Sequence, residues 1–235
     1  MKNLLLVIIT SVISFSAAKI IKGSKSENPD PRKHIYVLDS ELSNKELLVD
    51  YICKDPEIVN LTRTQRDIYS GSHGANVSEI IGYKINKREY CVYPIFAFRG
   101  KYGEYSHANQ LQGFRKAVAD PRTVGINLSQ AGGPSEIREY RLLFKLAQRG
   151  VSIVVAAGNN SLVLTNNRCF IFPACYYLYM PKGAKYFVVT ALDVPTANKV
   201  RFPHKIAPGK RRGHTVYFSG TSQAAAEYTG MLFSK

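Results

Sequence analysis

Apolar positions along the chain alternate between short strand-like runs and helical stripes. The run His34-Ile35-Tyr36-Val37-Leu38 is rich in β-branched and aromatic residues and stops at Asp39, which predicts a buried parallel strand with function at its carboxyl end. Ser43-Asn44-Lys45-Glu46 has the spacing of a capping box, and Leu47, Leu48, Tyr51 and Ile52 follow it at helical spacing. Ile58 to Leu61 predicts another short strand. From His73, Val77, Ile80 and Ile81 recur at i, i+3 and i+4, so His73 is expected at the N-terminal end of a helix packed on the core. Cys91 to Phe98 predicts a strand, which Pro94 confines to an edge or irregular position.

The second half repeats the alternation. Leu111, Phe114 and Val118 mark one face of a helix, and Thr123 to Leu128 predicts the next strand. A helix from about Ser135 to Arg149 has Pro134 near its start and Gly150 just past its end, as the asymmetry of helix termini requires. Val151 to Ala157 and Tyr186 to Ala191 predict two further strands, separated by a loop-rich stretch with an aromatic cluster at Tyr176, Tyr177 and Tyr179. A last helix begins after Ser219-Gly220 and runs almost to Lys235. Strands alternating with helices imply an α/β fold, a three-layer α/β/α arrangement around a mainly parallel sheet.

Composition changes this picture in three ways. With 235 residues and 45% hydrophobic content, the chain can bury a full core, and one compact domain over residues 34–235 is the default. Before it, Met1-Lys2-Asn3, the apolar run Leu4 to Ile13 and the small residues Ser16-Ala17-Ala18 read as a cleaved secretory signal over residues 1–18, followed by an extended polar arm over 19–33. The run is too short for a membrane span, which takes about 20 residues, so export to a secreted or periplasmic location is expected, with an uncleaved anchor as the alternative.

Export makes Cys53, Cys91, Cys169 and Cys175 disulfide candidates. Of the three connectivities, the short spacing favours Cys169 with Cys175 and leaves Cys53 with Cys91; free, buried cysteines are the alternative. There is no CxxC pair to favour zinc. The formal charge of +15, densest at Lys199, Arg201, Lys205, Lys210, Arg211 and Arg212, favours anionic partners such as envelope polymers, while a soluble basic surface with no dedicated partner is the plainer reading. No nucleic-acid motif accompanies the charge, so no specific nucleic acid is expected.

The chemistry centres on Ser222 in Phe218-Ser219-Gly220-Thr221-Ser222, because a serine hydroxyl needs a base, an orienting group and oxyanion donors. Candidates for those roles are His73 in His73-Gly74-Ala75-Asn76-Val77, Asp39 in Val37-Leu38-Asp39 and Asn159 in Ala156-Ala157-Gly158-Asn159. These blocks, together with Ile126-Asn127-Leu128-Ser129 before Gly132-Gly133, Phe172-Pro173-Ala174 and Ile206-Ala207-Pro208-Gly209, resemble the motifs of subtilisin-like serine proteases in the same order.

The resemblance implies an Asp39-His73-Ser222 triad, an oxyanion hole at Asn159, and peptide or protein substrates lying extended between Gly103-Glu104-Tyr105 and Ser129-Gln130-Ala131. It implies no cofactor, and the chain is expected to be a monomer. The segment Tyr83 to Glu89 is shorter and more basic than the loop that often binds calcium in the family, so no metal site is expected. Only residues 19–33 stand where such proteases carry a folding pro-domain, and little follows the last helix, so a minimal or truncated domain is expected.

Two departures keep other functions open. Glu79 replaces a small residue behind His73, and Gln223-Ala224-Ala225-Ala226-Glu227 follows Ser222 where the family usually carries Met-Ala-Ser-Pro-His. A catalytically silent fold used for binding, or a basic envelope-associated protein, are the rival readings.

Overall fold

The computed structural model describes residues 30–40, 49–54, 73–99, 104–105, 107–212 and 217–235. The signal segment, most of the polar arm, the capping-box positions Ser43 to Leu48, the strand expected at Ile58 to Leu61, and Gly103 lie outside the described residues.

The elements run β1 (Lys33–Asp39), α1 (His73–Lys84), β2 (Tyr90–Phe96), β3 (Phe98–Arg99), β4 (Glu104–Tyr105), α2 (His107–Ala119), β5 (Thr123–Leu128), α3 (Ile137–Gln148), β6 (Ser152–Ala156) and β7 (Val163–Leu164). A 3₁₀ helix (Ala174–Tyr179) precedes β8 (Tyr186–Ala191), β9 (Lys199–Val200), β10 (Lys205–Ala207), β11 (Lys210–Arg212), β12 (Tyr217–Ser219) and α4 (Thr221–Leu232). Six strands form one sheet in the order β10-β8-β6-β5-β1-β2, every neighbouring pair parallel.

Strand order runs outward in both directions from the β1–β5 pair. The carboxyl ends of these two strands therefore open on a crevice at a topological switch point, where crossovers leave to opposite sides. Asp39 ends β1, and Ser129 immediately follows β5.

Alternation along β1 assigns the two faces. Tyr36 and Leu38 join Phe114, Ile126, Leu143 and Leu146 in the core under α2 and α3. Ile35 and Val37 point the other way, into a core with Val77, Ile81 and Ala226 from α1 and α4. A third cluster, Val154, Val189, Ala224 and Ala225, continues the α4 side. This is a three-layer α/β/α fold with a buried parallel sheet.

Pro94 sits in β2, the last strand of the sheet, where a missing N–H costs least. Tyr51 and Ile52 differ from expectation: Ile52 forms a parallel bridge to Val92, and Val92 N–H donates to Tyr51 O at 2.8 Å. Unpaired backbone groups on the outer edge of β2 capture this stretch as a cover, just past a turn in which Ile52 N–H donates to Val49 O at 3.0 Å. Helix α3 starts at Ile137 because its cap is the Glu136 carboxylate, which accepts the Glu139 N–H at 2.9 Å.

The described end of the polar arm is tied down. Arg32 Nη2 lies 2.6 Å from the buried Asp30 carboxylate and also donates to Ile52 O at 2.9 Å. Cysteine pairing follows the spacing argument: Cys53–Cys91 and Cys169–Cys175 are disulfides, and no described cysteine is free. The first joins the cover segment to β2; the second closes the loop leading into the 3₁₀ helix.

Candidate active site

Asp39 is 4% exposed, and its Oδ1 accepts the Ser40 N–H at 2.7 Å. His73 opens α1, and its Nδ1 lies 2.8 Å from Asp39 Oδ1 and 3.0 Å from Oδ2. Because an ionised carboxylate only accepts, Nδ1 carries the hydrogen, and in the neutral ring Nε2 is left with its lone pair. Gly74 N–H donates to Ser40 Oγ at 2.8 Å, so the end of β1 also holds the start of the histidine helix.

The His73 side chain is 40% exposed. Burial works against its imidazolium, but the charge and hydrogen bond of Asp39 outweigh that, and the His73 pKa lies above its ordinary value.

Ser222 is the second residue of α4 and is half-buried. Its Oγ donates to Ser129 O at 2.8 Å, and Ser129 Oγ lies 3.0 Å from Ser222 O. The single Ser129 hydroxyl proton is shared between that carbonyl and Asn127 Oδ1, 2.7 Å away. Asn127 Nδ2 in turn donates to Thr229 Oγ1 at 2.9 Å, with both groups fully buried. The end of β5 is thus bonded to the first and the third turn of α4, fixing where the serine helix begins.

Asn159 is exposed, and its Oδ1 caps α4 from outside by accepting the Thr221 N–H at 2.9 Å. That leaves the Asn159 Nδ2 donors beside the mouth of the helix, where unpaired N–H groups and the dipole favour negative charge. Gly220 has φ +124°, and a Cβ on it would lie 2.9 Å from Asn159 Nδ2, so only glycine allows this approach.

Gly158 N–H donates to Thr221 Oγ1 at 3.0 Å. A Cβ on Gly158, at φ +94°, would meet Asn198 Nδ2 at 2.7 Å.

Asn198 was silent in the sequence. It is fully buried; its Oδ1 accepts the N–H groups of Asn160 at 3.0 Å and Leu162 at 2.9 Å, and its Nδ2 donates to Ala157 O at 2.8 Å. It therefore holds the Asn159 loop from both sides. Asn127, Thr221 and Thr229 were equally unmarked in role. Among these only Asn127 stands beside a recognisable strand pattern; for Asn198 no local signal exists, because its partners are 36 to 41 residues away.

Of the expected substrate edges, Glu104 and Tyr105 form β4, paired antiparallel with β3. Ser129 is buried, Gln130 half-buried and Ala131 exposed, and the turn beyond them is pinned where Gly132 N–H donates to Phe172 O at 3.0 Å. The two unusual carboxylates are accommodated. Glu79 is half-buried, and Glu227 pairs with Lys84 Nζ at 3.0 Å across the α1–α4 contact.

No protein-family model and no curated protein matches the chain by sequence. Its fold does match solved structures. A lanthipeptide protease aligns with TM-score 0.63 at 18% identity over 86% of this chain and 72% of that one. The protease domain of PatA, as a mutant, aligns with TM-score 0.62 at 20% identity over 88% and 79%. A cold-adapted subtilisin-like serine proteinase aligns with TM-score 0.58 at 17% identity over 86% and 75%. With its parallel six-stranded sheet, its covering helices and these structural neighbours, the chain has a subtilisin-like fold.

Proposed function

We propose that the protein is an exported serine endopeptidase. The observation that carries this reading is the Asp39–His73 pair, at 2.8 Å at the end of β1, with Ser222 bonded to Ser129 just past the end of the neighbouring strand β5. In the proposed reaction the Ser222 hydroxyl turns from Ser129 O toward His73 Nε2, gives up its proton and attacks the scissile carbonyl. His73 then delivers the proton to the leaving amine, while Asp39 holds the Nδ1–H tautomer and stabilises the imidazolium. The oxyanion is bound by Asn159 Nδ2 and the Ser222 N–H, and water repeats the sequence to release the acyl group.

Structural neighbours that are proteases support peptide or protein substrates, bound as an added strand between β4 and Ser129-Gln130-Ala131. Two disulfides support export, and among the described residues no helix is long and apolar enough to cross a membrane. The exposed Lys199, Arg201, Lys205 and Lys210 support contact with anionic envelope polymers outside the cell.

One observation favours a second reading, a silent fold used for binding: Ser222 Oγ donates its hydrogen bond to the Ser129 carbonyl, which is not a base that takes up the proton. A fluorophosphonate probe separates the two. Labelling of folded protein at Ser222, abolished in His73→Ala, is expected; failure to label beside a reactive control protease would leave the binding reading standing.

A further inference from the structure

A second histidine–carboxylate pair lies at the opposite end of β1. His34 is fully buried, and its Nδ1 is 2.6 Å from Asp120 Oδ2. Tyr36 O–H and the Arg122 N–H also donate to that carboxyl group, at 2.9 and 3.0 Å. With the Tyr36 O–H and the Arg122 N–H already donating to it, the Asp120 carboxylate acts as the acceptor, and Nδ1 of His34 carries the hydrogen. The other nitrogen, Nε2, is buried and has no hydrogen-bond partner among the described residues. A bare lone pair in a sealed core is costly unless something uses it.

Cys53 and Cys91 supply the candidate. Both are essentially fully buried, and their sulfur atoms and a ring nitrogen of His34 all lie within 4.8 Å of one another. Nδ1 is engaged by Asp120, so Nε2 is the nitrogen free to act. We propose that, when the Cys53–Cys91 disulfide is reduced, His34 Nε2 and the two thiolates form a three-ligand site for a soft divalent cation of the zinc type.

The donor set fits such an ion. Two thiolates and one imidazole are ligands that zinc prefers, and three protein ligands leave a fourth position. Two thiolates cancel the charge of a divalent ion, so the buried site is neutral. Asp120 orients the ring from behind, the carboxylate–histidine–metal relay that raises ligand basicity. Tyr93, its ring 5.2 Å from that of His34, restricts the imidazole from the side.

Around a tetrahedral ion the sulfurs stand about 3.8 Å apart, given metal–sulfur bonds of about 2.3 Å. Side-chain rotation at Cys53, on the cover segment rather than in the sheet, supplies that opening. No CxxC motif announces the site, because β1, β2 and the cover segment assemble it from positions 34, 53 and 91.

The chemistry balances with a reductant named by class. A phosphine with water takes the disulfide to two thiols and becomes a phosphine oxide. The cation then displaces two thiol protons, with His34 adding its lone pair.

The test uses the full chain, reduced with a phosphine that is then removed, and titrated with Co²⁺ as probe. Expected are a thiolate-to-cobalt charge-transfer band and tetrahedral visible bands, absent from oxidised protein and restored on re-reduction. His34→Phe keeps the ring and removes both nitrogens. It should lose the binding seen in wild type, and the difference separates this site from the thiols of Cys169 and Cys175. Asp120→Asn should weaken binding by about 10–100-fold. Reduced wild type that shows no bands, bands equal in His34→Phe, or reduction that unfolds the chain with no recovery on adding Co²⁺ would each overturn the proposal.

Discussion

Strand β1 carries two histidine–carboxylate pairs built from the same groups, and they sit in opposite circumstances. At its amino end His34 is fully buried against Asp120; at its carboxyl end Asp39 holds His73, whose side chain is 40% exposed. The two ends are about 16 Å apart, five residues of strand, and the odd spacing sends the side chains of His34 and Asp39 to opposite faces of the sheet. Both carboxylates engage Nδ1 and so leave the proton off Nε2 in the neutral ring. What differs is the surroundings of the ring: a half-exposed position at the crevice end of β1 for His73, a sealed core with two sulfurs close by for His34. Pairing prepares an imidazole, and burial decides what it can meet.

The comparison breaks most sharply at its exposed end. Under the proposed mechanism His73→Ala should lower kcat by about 10⁶, as loss of the histidine does in a triad of this kind. Next, Asp39→Asn should cost about 10⁴ in kcat through the wrong tautomer, whereas Asp120→Asn should leave kcat/KM essentially unchanged and appear as lost thermal stability. Equal kinetic effects of the two aspartate variants would erase the distinction. Asn159→Ala should reduce kcat by about 10²–10³ with a smaller change in KM, because its contact strengthens as the oxyanion forms.

Raising the His73 pKa sets a pH signature. In the proposed reaction the base works as neutral imidazole, so the acid limb of kcat/KM should have its midpoint above the ordinary value of 6.5, and Asp39→Asn should bring it down. For stability the sign is that of a raised pKa: the His73–Asp39 contribution is complete below about 6.5 and is lost as pH rises through the higher folded value. Urea midpoints measured across that window in wild type and Asp39→Asn should converge toward high pH. Smallest in kinetics is Asn198→Ala, expected to cost about 1–3 kcal/mol in chemical denaturation by orphaning the Asn160 and Leu162 N–H groups.

The strands of the central sheet other than β10 were legible because a strand buried on both faces is written as an unbroken apolar run; Thr123 to Leu128 and Tyr186 to Ala191 match β5 and β8 end to end. The start of α1 at His73 and the edge position of Pro94 followed from periodicity and a missing donor. Short strands β7 and β9 to β12 were not, since two or three residues carry no period.

Tyr51 and Ile52 misled because their helical spacing was local, while the open edge of β2 was a property of the sheet. For the candidate site, Asp39, His73, Asn159 and Ser222 could be named from motif and order alone. Asn198, the Ser129 to Ser222 bonds and the Glu227–Lys84 pair could not, because each joins residues brought together only by the finished topology.

The Cys53–Cys91 bridge has a bearing on self-digestion. Under the proposed activity the protein would be exposed to its own cleavage, and a cut anywhere between Lys54 and His73 would leave Asp39 and His73 on separate polypeptides. The bridge spans that interval, from position 53 to position 91, so both fragments would remain one covalent molecule. Re-docking of β1 beside α1 would then be an intramolecular event with a high effective concentration, and a nicked chain would keep Asp39 until a reductant released it.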